Sequence, residues 1–156
     1  MNNKLKKVFL GLILLSSLFI LTGCGKKKPI DVEQFTKKAK DKGYDVVDVS
    51  KQYEKYEYIK SGTVASSNNK WQVELYILED ETGAKNMYNI NKNKFNKEKH
   101  NSKTYSEVTM KNYSKYTLKA NNKYMYLSRV DNTLIYCDVD SKYEEEAKKF
   151  IKELKY

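Results

Sequence analysis

The chain is poor in the residues that most reactive centres are built from: one histidine, two cysteines, one proline and six glycines in 156 residues. A single His100 and at most two thiols leave zinc-type ligand sets and Cys/His nucleophile pairs almost nothing to work with. No glycine-rich phosphate loop and no Gly-x-Ser-x-Gly elbow occurs, so P-loop and α/β-hydrolase chemistry have no footing. Arginine is nearly missing too, Arg129 standing alone among 30 basic residues. Bidentate recognition of phosphates and bases favours arginine, so nucleic acid is not the expected partner despite a formal net charge of +10. Asp138-Val139-Asp140 begins like a calcium loop, but Lys142 holds the next ligand position and Tyr143 the position that needs glycine. No metal and no cofactor is expected.

What the chain does have begins at its N-terminus. Lys4, Lys6 and Lys7 precede a 14-residue apolar run, Val8 to Leu21, broken by Gly11, Ser16 and Ser17. A membrane span needs about 20 apolar residues, so this run fits the core of an export signal instead. It closes on Leu21-Thr22-Gly23-Cys24, which resembles the lipobox of bacterial lipoproteins. That resemblance implies cleavage before Cys24, a diacylglyceryl group on its thiol, and residence at the outer face of the cytoplasmic membrane. The abundance of Lys, Asn, Tyr and Ile fits an A+T-rich genome and hence a Gram-positive bacterium. Two acyl chains hold a protein stably where one does not. The basic segment Gly25-Lys26-Lys27-Lys28-Pro29 then serves as a solvated tether, as an electrostatic aid worth about 1 kcal/mol per lysine at an anionic surface, or as both.

Three segments are therefore expected: a cleaved signal peptide at 1–23, a lipidated cysteine and basic tether at 24–29, and one domain at 30–156. Loss of the signal removes three basic residues and no acidic one, leaving +7. With Cys24 acylated, Cys137 is the remaining thiol and no intramolecular disulfide can form. Packing must supply the stability, and a domain of this length can bury about two thirds of its unfolded surface.

Asp31 and Gln34 have capping-box spacing, Val32, Phe35 and Ala39 recur at helical intervals, and Gly43 suits the helix end. Strands are expected at 44–49, 58–65 and 71–78, the last with Trp71, Val73, Leu75 and Ile77 alternating against Gln72, Glu74, Tyr76 and Leu78. A helix through Ala84, Met87, Tyr88, Asn91 and Phe95 follows, frayed from Asn89 into a Lys/Asn-rich loop ending at Lys103. Four more strands, at 105–110, 113–120, 123–130 and 133–139, are separated at Asn121-Asn122 and Asp131-Asn132 by residues that tolerate positive φ. Ser141 and Glu144 suggest a second capping box before a last helix carrying Tyr143, Ala147, Phe150, Ile151 and Leu154. The order α-β-β-β-α-β-β-β-β-α with short hairpins predicts an α+β fold: an antiparallel sheet with amphipathic helices packed on one face.

Counting outward from the two turns pairs Leu118 with Met125, Tyr116 with Leu127, Leu127 with Tyr136 and Arg129 with Leu134. That face should meet the helices. The other carries Thr117, Lys119, Tyr124, Tyr126, Ser128, Ile135 and Cys137, and Tyr76 and Leu78, opposite the Trp71 stripe, are expected to join it. Tyr76, Thr117, Lys119, Tyr124 and Tyr126 thus form a candidate binding face, tyrosine offering apolar area with a polar tip. Tyrosine is equally a β-former, and an ordinary exposed sheet face would look the same. The stretch Lys92, Lys94, Lys97, Lys99 and Lys103 offers a second contact for anionic wall polymer or lipid, or is a solvated loop.

The expected function is that of a membrane-anchored bacterial surface lipoprotein with a small non-catalytic domain, binding an envelope protein, a peptide or a wall polymer. An envelope-acting enzyme using a carboxylate pair not identifiable from one sequence, and an inhibitor-like module of an envelope enzyme, stand as alternatives.

Overall fold

Residues 26–68, 70–99 and 104–156 are described by the computed structural model. The lipobox with Cys24, the histidine His100, and Lys103 lie outside them. Element order matches the expected one: α1 (Val32–Lys40), β1 (Asp45–Asp48), β2 (Ile59–Ser67), β3 (Trp71–Leu78), α2 (Glu81–Glu98), β4 (Tyr105–Thr109), β5 (Tyr113–Ala120), β6 (Lys123–Val130), β7 (Thr133–Asp140) and α3 (Glu144–Glu153). Short 3-10 turns sit at Ser50–Tyr53 and Ser141–Tyr143.

The local signals act as their chemistry requires at most ends. Asp31 caps α1 by accepting the Gln34 N–H at 2.7 Å, and Gly43, at φ +74°, turns the chain out of it. Asp80 caps α2 the same way through the Gly83 N–H at 2.7 Å. The second capping box does not form. Asp140 instead accepts the Lys142 N–H at 3.2 Å, and this tightens residues 141–143 into a 3-10 turn ahead of α3. Nor does α2 fray at Asn89. Ala84, Tyr88, Asn91 and Phe95 are all buried on one stripe, and packing along that stripe carries the helix through its Lys/Asn-rich half to Glu98.

All seven strands pair antiparallel in the order β1-β2-β3-β7-β6-β5-β4. The hairpin registers are those counted from the turns, with Leu118 opposite Met125, Leu127 opposite both Tyr116 and Tyr136, and Arg129 opposite Leu134. Asn121 and Asn122 take φ of +52° and +58°, and Asp131 takes +47°.

The fold is the expected single α+β domain, but the helices do not share one face. Helix α2 covers the side carrying Tyr76, Leu78, Tyr116, Leu118, Met125, Leu127 and Leu134. Helices α1 and α3 cover the other, where Phe35, Ala39, Phe150 and Ile151 meet Trp71, Val73, Leu75, Tyr124, Tyr126, Ile135 and Cys137. There the Phe150 ring lies 5.7 Å from Phe35 and 5.2 Å from Tyr44, and Trp71 Nε1 donates to Glu146 Oε2 at 2.7 Å. Every central strand is apolar on both sides, so a cover on one side alone would leave a core-like face in water. Among the described residues no helix is long and apolar enough to cross a membrane.

Candidate functional site

Seven strands span about 29 Å at their usual 4.8 Å spacing, while two helices side by side shield about 20 Å. On the α1/α3 side, α1 packs against β1 and β2, and α3 against β3 and β7. The far end of that face, over β4, β5 and β6, stays open. The result is a groove of about 670 Å³. Tyr124, Tyr126 and Thr117 form its floor, Tyr105 and Ser106 one wall, and Lys148, Ile151 and Lys152 of α3 the other, with Tyr156 at the end.

Four lysines, Lys115, Lys119, Lys148 and Lys152, line this groove. Glu144, at the first turn of α3, answers two of them: its Oε1 lies 2.6 Å from Lys119 Nζ and is also paired with Lys148. Burial works to raise the Glu144 carboxyl, but the two ammonium groups outweigh it and hold the group below the usual carboxylate range. Lys115 and Lys152 have no carboxylate partner among the described residues. Lys115 stands 5.6 Å from the Tyr126 ring centroid and Lys148 5.4 Å from that of Tyr124. The groove is therefore basic over an aromatic floor.

Tyr124 and Tyr126 are buried to 3 % and 2 % exposure, and burial pushes both phenols well above their ordinary range, keeping them neutral. Their rings underlie α3 more than they face water, which corrects the expectation of an open tyrosine face. Tyr126 Oη is buried beside Ser128 Oγ, and neither forms a hydrogen bond of good geometry among the described residues. The pair is a polar spot beneath a basic opening.

Thr117, Lys119, Tyr124 and Tyr126 lie together along the groove, and Tyr76 does not join them. Leu75 pairs with Ile135 and Tyr76 with Leu134, so the Trp71 stripe shares the Tyr124 side and Tyr76 points to the α2 side. There Tyr76 Oη donates to Glu74 Oε2 and lies 2.8 Å from Tyr53 Oη. Burial first, then Glu74, drives its phenol well above the ordinary value. It lines a smaller, separate cavity of about 360 Å³ with Tyr53, Tyr136 and Lys94. Lys115, Lys148 and Lys152 are the groove residues that sequence reasoning missed. Lysines at 148 and 152, four apart on α3, were the available signal, since that spacing puts both on one side of a helix.

Two lysines of the basic stretch after Asn91 are engaged within the domain. Lys92 pairs with Glu107, and Lys99 Nζ stands 3.2 Å from the Tyr105 ring centroid. Cys137 is fully buried, and burial pushes its thiol far above the usual range, so it is no nucleophile. No cluster of His, Cys, Asp and Glu among the described residues could hold a metal ion. Asp138 faces Lys123 at 3.3 Å, and Asp140 caps its turn.

No protein-family model matches the chain. No curated protein matches it either. Among solved structures, the chain is similar to a GTP binding regulator from Thermotoga maritima, with 20% sequence identity over 80% of this chain and 84% of that one, and a TM-score of 0.46. A likeness of that degree bears on neither ligand nor activity.

Proposed function

We propose that the chain is a lipid-anchored bacterial surface protein whose α+β domain binds an anionic envelope polymer in the groove between α3 and β4–β6. One observation carries the reading: Lys115 and Lys152 flank a buried tyrosine floor without carboxylates of their own. Lysines suit a polymer of repeated phosphate or carboxylate groups, because a point charge on a flexible stem needs no fixed bidentate geometry. The lipobox resemblance places such a polymer within reach, and the net charge of +7 after signal removal favours its approach.

The test is titration of the protein with soluble poly(glycerol phosphate), with neutral dextran as control. Saturable binding that weakens as salt is raised is expected, since screening shortens to about 8 Å near physiological ionic strength. Equal binding of both polymers, or no binding, overturns the reading. The anchor is tested separately by Cys24→Ala, which should lose the acyl group and release the protein from the membrane fraction. Normal anchoring of that variant refutes the lipobox reading.

A further inference from the structure

The first described residues are strapped to the domain. Lys26 Nζ lies 3.5 Å from Asp131 Oδ1. The Lys27 carbonyl accepts from Asn112 Nδ2 at 2.8 Å, while its ammonium donates to the Lys155 carbonyl at 3.1 Å and stands 4.1 Å from the Tyr113 ring centroid. Ile30 is buried, and its N–H donates to Tyr156 Oη at 3.0 Å. Residues 26–30 are thus fixed at one end of the sheet, where β5 begins, β6 ends and β7 begins.

Asn112 ties this strap to the β4–β5 hairpin, and its carbonyl also accepts the Asp131 N–H at 2.8 Å. The tip of that hairpin is unusual for its surroundings. Met110 is 62 % exposed, the largest exposure among the big apolar side chains described, and Lys111 beside it is exposed as well. Lys28 and Lys155 are exposed at the same end. Cys24 lies two residues before Lys26, a reach of at most about 7 Å in extended chain.

We propose that this end of the domain is a second membrane contact, in which Met110 enters the headgroup layer of an anionic bilayer while Lys28 and Lys111 meet its lipid phosphates. It rests on the lipid-anchor reading. A soft, unbranched apolar side chain ringed by lysines matches the boundary between acyl chains and anionic headgroups. The docked strap makes the contact reproducible, because a free tether would let any face turn toward the lipid. The domain then stands with the β2–β3 turn and Asn121-Asn122 away from the bilayer, and the groove opens with Lys115 and Lys152 toward it and Lys119 away.

The test uses the full, acylated protein in phosphatidylglycerol/phosphatidylethanolamine vesicles that carry a shallow lipid quencher. An environment-sensitive fluorophore is placed on Met110→Cys or, at the opposite end, on Lys70→Cys; Cys137 is buried and does not compete. The label at 110 should shift to the blue and be quenched several-fold more than the label at 70. Equal quenching of the two, or a label at 110 that stays in water on vesicle-bound protein, overturns the orientation alone. A chain without a diacylglyceryl adduct on Cys24 by mass spectrometry, failing to float with vesicles, overturns the anchor reading and the orientation with it.

Discussion

The two sides of the sheet are built from one alternating pattern yet are closed differently. On one side a single 18-residue helix, α2, reaches β5, β6, β7 and β3 and covers a continuous apolar cluster. On the other, two shorter helices stop short of β4–β6 and leave a basic groove. Buried charge follows the same division. On the α2 side Arg129 is 2 % exposed and bonds Glu81 at 3.2 Å and the Asp131 carbonyl at 3.2 Å. On the open side Glu144 holds two lysines but leaves Lys115 and Lys152 unbalanced. Apolar patterning makes both sides core, and the surplus of lysine over carboxylate sets the α3 side apart.

If both sides are core, truncation should be costly on each. Phe150→Ala should lower stability by about 3–5 kcal/mol, and Leu127→Ala on the α2 side by about 2–5 kcal/mol, measured by chemical denaturation. A small loss at Phe150 alone would show that the α1/α3 cover is loosely packed.

The groove residues should separate binding from folding. Replacing Lys115 and Lys152 together by Ala should weaken poly(glycerol phosphate) binding roughly thirtyfold, at about 1 kcal/mol per lysine. Thermal stability should hardly change. Replacement of Lys92 and Lys97 on α2 should leave binding unchanged, and a similar loss there would erase the contrast between the two sides.

Glu144→Gln sharpens the comparison by moving the two readouts in opposite directions. Stability should fall by about 1 kcal/mol, because the lysines it pairs with are half exposed and regain water. Anion binding should rise, because one negative charge leaves the edge of the groove. The pH dependence follows from the sign of the shift. The folded-state carboxyl lies below its unfolded value, so its contribution is present above the unfolded value and is lost as pH falls through the folded one. Acid melts of the parent protein should show this component, and those of Glu144→Gln should lack it. The smallest effect is expected at Tyr105→Ser on the exposed edge strand, within about 0.5 kcal/mol by the same denaturation assay.

Local chemistry was legible in the sequence wherever a short turn or a cap set the geometry. The turns at 121–122 and 131–132 fix the registers of β5, β6 and β7 by counting, and Asp31 and Gly43 bound α1. What could not be counted was the pairing of β3 with β7, which lie more than fifty residues apart in the chain. That contact decides which way the Trp71 stripe faces, and a one-residue difference in phase moves Tyr76 from one side to the other. The same gap hid the groove. Its floor follows from the β5–β6 register, but its lysine wall comes from α3, whose side of the sheet depends on tertiary packing. The strap at 26–30 is illegible in the sequence for a related reason: its anchors, Asn112, Asp131, Lys155 and Tyr156, are all distant along the chain.

The most direct measurement is a backbone amide NMR titration of the domain with poly(glycerol phosphate). Saturable shifts confined to Lys115, Thr117, Tyr126, Lys148 and Lys152, diminishing as salt is added, are the predicted result. Shifts centred on α2, or none at ligand concentrations that saturate other lysine-rich sites, would contradict a binding role for the open side of the sheet.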